Sequence, residues 1–372
     1  MSELSRLLDA PGASLEAADD YEAFNELCHE RGWTDGLPVI PPTEERVERM
    51  LAYCDRPYDQ PVSMIPPRYG AATPLRLAAN AVMAGCRPEY FPLVVLAIEA
   101  MSEEPFNLYG IQATTHPCSP LIIVNGPVAR ELRINSGHNA FGTGTQSNAA
   151  IGRAVRLALV NIGGAIPGVG DMATAGAPTK FTYCAAENET ASPWEPLHVE
   201  RGFPAEASTV TVVAAEGPHN VNDHESRTAE GVLKMIAGTV AIAGANNLYY
   251  ASQPVIAFGP EHAATVAAGG YSKADVKRFL YENARVPLGK FSQENVERRF
   301  RIKFPERFAT AGPDALVPLA QSPEDFVVIV VGGAGKHSAF IPTFSTTHPI
   351  TRALTRRDGR FPVNVSGGSL GV

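Results

Sequence analysis

The chain has 372 residues, more than one domain usually contains, which predicts two lobes or one large α/β domain. Apolar residues make up 45% of the chain and charged residues 19%, a balance that excludes an intrinsically disordered protein. The net charge of -8 comes from 39 acidic and 31 basic side chains without a basic stripe, so we expect no nucleic-acid partner.

The sequence has none of the patterns typical of secreted or membrane proteins. Residues 1–22 are acidic and lack a basic segment followed by a long apolar one, so they do not resemble a signal peptide. The longest apolar tracts, such as 235–245 and 326–331, are shorter than the ~18 to 20 residues that span a bilayer. Five cysteines without a close pair suit a reducing compartment. We therefore expect a cytoplasmic protein with no membrane partner.

Apolar periodicity in the first part of the chain predicts helices at 15–33, from Thr43 onward, at 73–85 and at 88–102. Thr43 is the expected N-cap of the second helix, because Glu45 and Glu48 favour its first turns. We therefore predict a mostly helical N-terminal region over residues 1–115.

After residue 120, short β-branched runs recur, and each ends in a glycine-bearing loop followed by a helical pattern. Apolar strands that alternate with helices predict an α/β region over 116–372, with a mainly parallel sheet built from strand, glycine loop and helix units. Ligands bind at the carboxyl ends of such strands, although a glycine there can also simply permit the turn. The four runs are LIIVNGP at 121–127, TVTVVAAEGPHN at 209–220, PVIAFGPEHA at 254–263 and FVVIVVGGAGKHS at 326–338.

A glycine-rich turn at 139–148 precedes a helix expected to begin near residue 149. Backbone N–H groups and the positive helix end predict a carboxylate or phosphate site there, and the alternative is a capped helix after a tight turn. The spacing fits neither a P-loop nor a dinucleotide fingerprint, so a nucleotide is not expected. The predicted substrate-binding residues of this segment are Asn139, Gly142, Gly144, Gln146, Asn148 and Arg153.

Two further segments supply candidate catalytic residues. Cys118 follows His116 by two residues on an extended chain, so the histidine could lower the thiol pKa and make it a nucleophile; a small buried cysteine is the alternative. The dense polar segment at 187–201 predicts a catalytic His198, with Glu187 and Glu189 contacting the substrate.

The loops after the second and fourth runs carry histidines. His219, Asp223 and His224 are candidate ligands of a divalent metal, although no short zinc pattern is present, and His219 is also a catalytic candidate. Lys336 and His337 follow three glycines and are suited to holding or protonating an anion, with a flexible turn as the alternative. No other cofactor is indicated.

Five segments resemble a bacterial and fungal family associated with the UGSC module, which is named for a selenocysteine-Gly-Ser-Cys redox motif. They are DGLPVIPPT, NAFGTGTQSNAAIGRA, SPWEPLHVERGF, AEGPHNV and GGAGKHSAF, and together they extend over about residues 35 to 340. The resemblance implies a companion protein or fused region of that module. The chain has no Cys-Gly-Ser-Cys or Cys-x-x-Cys, which argues against a self-contained dithiol mechanism.

These patterns predict a cytoplasmic enzyme, a hydrolase or lyase, that cleaves a small anionic metabolite or xenobiotic at strand-end loops. The alternative is a non-catalytic or half-site subunit of a thiol or selenol redox complex, completed by a redox-protein partner. In either case we expect a symmetric homo-oligomer on general grounds.

Overall fold

The computed structural model describes residues 3–8, 14–17, 19–250 and 252–355. It confirms an α/β fold, in which two four-stranded sheets lie face to face and helices cover their outer faces. The predicted regions 1–115 and 116–372 both extend into residues outside this description, and the boundary between them stays a prediction.

The strands form two four-stranded sheets and two short hairpins. The first sheet has the order β12-β5-β3-β4 and the second has the order β10-β7-β11-β6, while β1 pairs with β2 and β8 with β9. The strands are β1 (Ser63–Ile65), β2 (Gly70–Ala72), β3 (Ser119–Asn125), β4 (Cys184–Ala186), β5 (Thr209–Ala215), β6 (His219–Asn222), β7 (Val255–Phe258), β8 (Arg285–Pro287), β9 (Leu316–Pro318), β10 (Val327–Val330), β11 (His337–Ile341) and β12 (Ile350–Ala353).

The predicted preponderance of parallel strands is not confirmed. Within the two large sheets, β3–β4 and β7–β10 are parallel, whereas β5 and β11 return antiparallel beside β3 and β7. The edge strands β12 and β6 also pair antiparallel. Apolar runs without alternation indicate burial on both faces, and here a second sheet provides that burial rather than helices on two sides of one parallel sheet.

Alternate residues of each strand face different cores. Ile122 and Val124 of β3 pack toward the helices of the first sheet, whereas Leu121 and Ile123 pack in a cluster that the two sheets share. Val255 of β7 joins that shared cluster from the second sheet. The layers are therefore helix, sheet, sheet and helix.

The helices divide between the two outer faces. Buried residues of α4, α5 and α8 belong to the core of the first sheet, and those of α10, α11 and α12 belong to the core of the second. The helices are α1 (Glu3–Leu8), α2 (Tyr21–Arg31), α3 (Glu44–Leu51), α4 (Pro74–Met83), α5 (Phe91–Met101), α6 (Leu108–Ala113), α7 (Pro127–Glu131), α8 (Gln146–Asn161), α9 (Leu197–Glu200), α10 (Ala229–Val240), α11 (Pro260–Ala268), α12 (Lys273–Asn283), α13 (Gln293–Asn295), α14 (Arg301–Lys303) and α15 (Pro305–Phe308).

The two sheets have corresponding topologies and exchange their edge strands. In each, a central strand (β3 or β7) leads through Gly-Pro into a helix, and has a parallel neighbour (β4 or β10) and an antiparallel one (β5 or β11). β6 follows β5 along the chain but pairs with β11, and β12 follows β11 but pairs with β5. The chain therefore crosses between the sheets twice in corresponding places.

Gly126, directly after β3, lies against the start of the returning strand β5. A Cβ on Gly126 would be 2.0 Å from the carbonyl oxygen of Ala207, and its φ of 83° is rarely adopted by other residues. Gly144 also has a positive φ, of 104°, but a Cβ there would meet no atom within 4 Å. The two glycines therefore share backbone strain but differ in the space around them.

We predict that Gly126→Ala lowers the free energy of unfolding by about 3 kcal/mol, because strain and a backbone clash combine. Gly144→Ala is the matched control and should lose only about 1 kcal/mol from its φ. Urea unfolding of both variants measures the difference. Equal losses would show that the contact between Gly126 and β5 is not tight.

Candidate functional site: a cavity at His116, Glu216 and Arg299

A cavity of about 430 Å³ opens where the two sheets cross, which is within the usual size of small-molecule sites. Segments from before β3, after β5, after α10 and from the π-helical stretch Val296–Phe300 contribute to its wall. Its chemically useful lining residues are His116, Glu216, Asn246, Tyr249, Tyr250 and Arg299.

His116 and Glu216 form a hydrogen-bonded pair in the wall of the cavity. Nε2 of His116 donates to Oε1 of Glu216 at 2.7 Å, and the imidazole also packs against Phe344, with ring centres 5.3 Å apart. Nδ1 of His116 is buried and has no hydrogen-bond partner among the described residues. Since the Glu216 side chain is 27% exposed and that of His116 only 16%, the carboxylate is the more accessible member of the pair.

The crossing of the two sheets fixes the position of Glu216. Its backbone N–H donates to Pro342 O at 2.8 Å, and its carbonyl oxygen accepts from Tyr183 Oη at 3.1 Å. Glu216 directly follows β5. Both its N–H and its carbonyl oxygen are therefore hydrogen-bonded at the point where the chain leaves the first sheet. The carboxylate is therefore presented by rigid structure rather than by a loose loop.

Arg299 contributes a positive charge to the same cavity. Its guanidinium lies 4.0 Å from the ring centre of Tyr250 and 5.7 Å from that of Tyr249. Nε and Nη2 are buried, and within the described part of the chain they have neither a hydrogen-bond partner nor a carboxylate counter-ion. Unpaired buried charge is costly, and π-helical turns are frequent at functional sites. An anionic ligand would supply the missing partner.

Sequence reasoning found only one residue of this cavity, His116. Glu216 directly follows the apolar run TVTVVAA at 209–215. A carboxylate directly after a buried strand could therefore have been recognised in the sequence as a candidate site residue. Arg299 gave no such signal, because its importance depends on the π-helical turn and on rings about fifty residues earlier.

The structure does not support Cys118 as a nucleophile. The thiol is buried and its nearest polar contact is Ile111 O at 4.0 Å, while His116 pairs with Glu216 instead. Burial raises the pKa of Cys118 to about 12, so the thiol stays protonated at neutral pH. The alternative of a small buried cysteine describes this residue.

Glu187, Glu189 and His198 do come together, at the carboxyl ends of β3 and β4. Asn125 Nδ2 donates to Glu187 Oε2 at 2.6 Å and to Glu189 Oε1 at 2.9 Å, and Nδ1 of His198 lies 3.9 Å from Glu189 Oε1. The N–H of Leu197 also donates to Glu187 Oε2, at 2.8 Å. These contacts connect the residues of the cluster to one another. The predicted catalytic role of His198 and the predicted substrate contacts of Glu187 and Glu189 stay predictions.

Glu187 is the most buried carboxyl group of this cluster, and burial raises its pKa above the usual value. Its Oε1 has no hydrogen-bond partner in the described part of the chain, so this oxygen is buried without a donor that would stabilise a negative charge. In the unfolded chain the pKa of Glu187 has its ordinary value. The contribution of protonated Glu187 to the free energy of unfolding is therefore complete below that value. It is lost as the pH rises through the folded-state pKa.

We predict that Glu187→Gln, which resembles the protonated acid, raises the free energy of unfolding relative to wild type progressively as the pH increases from about 4 to 7. Glu195→Gln, in the same segment but exposed, should show no such trend. Urea unfolding at several pH values measures both. Parallel pH profiles for wild type and Glu187→Gln would mean that Glu187 titrates normally.

The polar side chains of the turn at 139–148 are hydrogen-bonded to other groups of the protein. Asn139 Nδ2 donates to Thr143 O at 2.7 Å, and Asn148 Oδ1 accepts from Asn135 N at 2.8 Å. Gln146 Oε1 accepts from Arg87 Nε at 3.1 Å, and Thr145 is the N-cap of α8. The alternative of a tight turn before a capped helix accounts for Asn139, Gly142, Gly144, Gln146 and Asn148, whose predicted substrate contacts remain untested.

Arg153 points to the N-terminal region and not to the start of its own helix. Nε and Nη2 each donate to the Asp35 carboxylate at 2.8 Å, and Nη2 also donates to Pro38 O at 2.9 Å. Burial alone would raise the pKa of Asp35, but the hydrogen bonds and charge of Arg153 hold it below the usual value. Arg153 therefore binds Asp35 instead of the expected anion. The same contacts attach the segment DGLP at 35–38 to α8.

We predict that Arg153→Met lowers the free energy of unfolding by about 3 kcal/mol, because it leaves the largely buried Asp35 carboxylate without its partner. The exposed Arg130→Met should change it by less than about 0.5 kcal/mol. Chemical denaturation decides the point. If Arg153→Met unfolds like wild type, the pair is not structural.

The predicted metal ligands His219, Asp223 and His224 are not assembled. Asp223 Oδ1 accepts the backbone N–H of Ser226 at 3.0 Å, and Nε2 of His224 lies 3.2 Å from Nε2 of His337. Over the residues that the structure describes, no group of three or more His, Cys, Asp or Glu side chains is disposed to hold a metal ion. Lys336 Nζ donates to His224 O at 3.1 Å, so its ammonium group binds the backbone instead of facing a ligand.

Comparison with known proteins gives no match to a family model, to a curated protein or to a solved structure. Within the described ranges, no helix is both long and apolar enough to cross a membrane. All five cysteines are free thiols.

Proposed function

We propose that the protein is a cytoplasmic enzyme that cleaves a small anionic metabolite or xenobiotic, by hydrolysis or elimination, in the cavity at His116, Glu216 and Arg299. One observation carries the proposal: the same cavity is lined by a carboxylate paired with a histidine and by a guanidinium that has no counter-ion in the described part of the chain. A base beside an anion-binding group is what such a reaction needs.

Arg299 binds the anionic group of the substrate in this mechanism. Its guanidinium is planar and can donate two parallel hydrogen bonds to a carboxylate or phosphate. The rings of Tyr249 and Tyr250 lie beside the guanidinium and limit its movement. The anion is thereby held at a defined distance from the opposite wall of the cavity.

Glu216 accepts the proton. In an elimination Glu216 takes the proton from the carbon next to the one that carries the leaving group, and the C–H electron pair forms the double bond as the leaving group departs with its bonding electrons. In a hydrolysis Glu216 takes a proton from water, whose oxygen bonds to the electrophilic atom while the bond to the leaving group breaks. His116 donates its Nε2–H to the carboxylate and orients it. The buried Nδ1 of His116 is not accessible to a substrate, so His116 acts as a positioning residue for Glu216.

Arg299→Met tests the anion site before any substrate is known. Phosphate, malonate or succinate at saturation should raise the melting temperature of the wild type by about 2 °C or more, since a ligand of the native state stabilises it. Arg299→Met should lose this shift, because it removes the charge that pairs with the anion. Arg298→Met, an exposed neighbour, is the control and should keep the shift.

The proposal is wrong if none of these anions shifts the melting temperature, or if Arg298→Met and Arg299→Met lose the shift alike. The shift of each variant is measured from the melting temperature of the same variant without ligand. A variant that is merely less stable is thereby distinguished from one that has lost anion binding.

The alternative of a redox half-site subunit, suggested by the resemblance to the UGSC-associated family, stays a prediction. The buried thiols give it little support, because burial raises the pKa of both Cys118 and Cys184 to about 12. The expected homo-oligomer also stays a prediction.

A further inference from the structure

A pair of exposed histidines lies at one end of the second sheet, apart from the residues that line the cavity. Nε2 of His224 and Nε2 of His337 are 3.2 Å apart, the ring planes are 81° apart and the ring centres are separated by 4.9 Å. The two residues are 113 positions apart in the chain. The fold therefore creates this pair, and no local motif encodes it.

Asn220 holds one of the two rings. Its Oδ1 lies 3.0 Å from Nδ1 of His337, and a carbonyl oxygen can only accept, so Nδ1 carries the proton. The neutral imidazole then has its free lone pair on Nε2, the atom that faces His224. Histidines that bind metals commonly donate their other N–H to a carbonyl or carboxylate oxygen in this way.

The backbones that carry the two histidines are also fixed. His337 begins β11 and pairs with Asn222 of β6. The loop that carries His224 is held by His262, whose Nε2 donates to Asp223 O at 2.9 Å, and by Lys336, whose ammonium donates to His224 O. Two exposed histidines on flexible segments would gain little from proximity, whereas this pair is preorganised.

The distances fit a shared metal ion. Two imidazole nitrogens at about 2.0 to 2.1 Å from a tetrahedral zinc ion are about 3.3 Å apart, with ring centres about 5 Å apart. Both values are close to those of His224 and His337. Two imidazoles joined by a straight hydrogen bond would instead place their ring centres about 5.5 Å apart at this nitrogen separation.

We propose that His224 and His337 bind a divalent transition metal of the Zn²⁺, Co²⁺ or Ni²⁺ class, with Asn220 as the positioning residue. Neutral imidazole is a preferred ligand of these ions. The two histidines provide two coordination positions, and the others remain open to water or to an anionic ligand. His219, which the sequence suggested as a ligand, takes no part.

Zinc titration of the whole chain tests the proposal, after treatment with a chelator that is then removed. Isothermal calorimetry should detect one saturable Zn²⁺ site. His224→Ala and His337→Ala should each weaken binding at least about tenfold, since one ligand is lost. His219→Ala, an exposed histidine of the adjacent strand, should stay within about twofold of wild type.

Asn220 is tested by a pair of variants. Asn220→Ala should weaken Zn²⁺ binding by about tenfold, the usual effect of losing the partner of a ligand histidine. Asn220→Asp should restore it, because a carboxylate accepts the same hydrogen bond. A purely structural Asn220 would change the melting temperature of the metal-free protein without this pattern in zinc affinity.

Three results would overturn the inference. They are the absence of a saturable zinc site in the wild type, retention of wild-type affinity in His224→Ala or His337→Ala, and an equal loss in His219→Ala. Thermal melts of every variant without metal show whether that variant is folded at the temperature of the zinc titration.

Discussion

The contact between the inner faces of the two large sheets is the interaction on which the rest of the structure depends. Leu121 and Ile123 of the first sheet share one apolar cluster with Val255, Val327 and Ile329 of the second. Neither sheet can face water on that side, because its exposed apolar area would be large. Helices must then cover the outer faces, and polar residues are left to the strand ends and the connecting segments, which supply the candidate sites.

The exchange of edge strands explains where these sites form. β5 continues into the second sheet and β11 into the first, and the two crossing segments pair with each other where Phe344 N donates to Ala214 O at 2.9 Å. His116 and Glu216 sit at this crossing, and Phe344 packs on the imidazole. The same exchange places Asn220 of β6 beside His337 of β11. Both candidate sites therefore combine residues that are one hundred or more positions apart in the chain.

Local patterns predicted the buried strands and several helices, but not the partners of these elements and not β6 and β11, which stand where loops leading to helices were expected. The buried strands and the helix that begins after Thr43 follow from nearby residues, and the structure contains them. Strand direction was not predictable, because an apolar run buried by a second sheet resembles one buried by helices. The partners of Arg153, His116 and His224 lie about one hundred positions away in the chain, so only the fold reveals them.

Counter-ions distinguish structural charges from those available to a ligand. Arg153 is satisfied by Asp35, Lys273 by Glu200, and Lys180 by Asp171 at 2.5 Å. Each of these cations has its charge neutralised within the fold, so a ligand would have to displace a carboxylate to bind it. Arg299 is held by aromatic rings instead, which fix its position without neutralising its charge. A charged group that is rigid and has no carboxylate partner among the described residues is ready to bind an anion without prior rearrangement, and for that reason we propose the anion site at Arg299 rather than at Arg153.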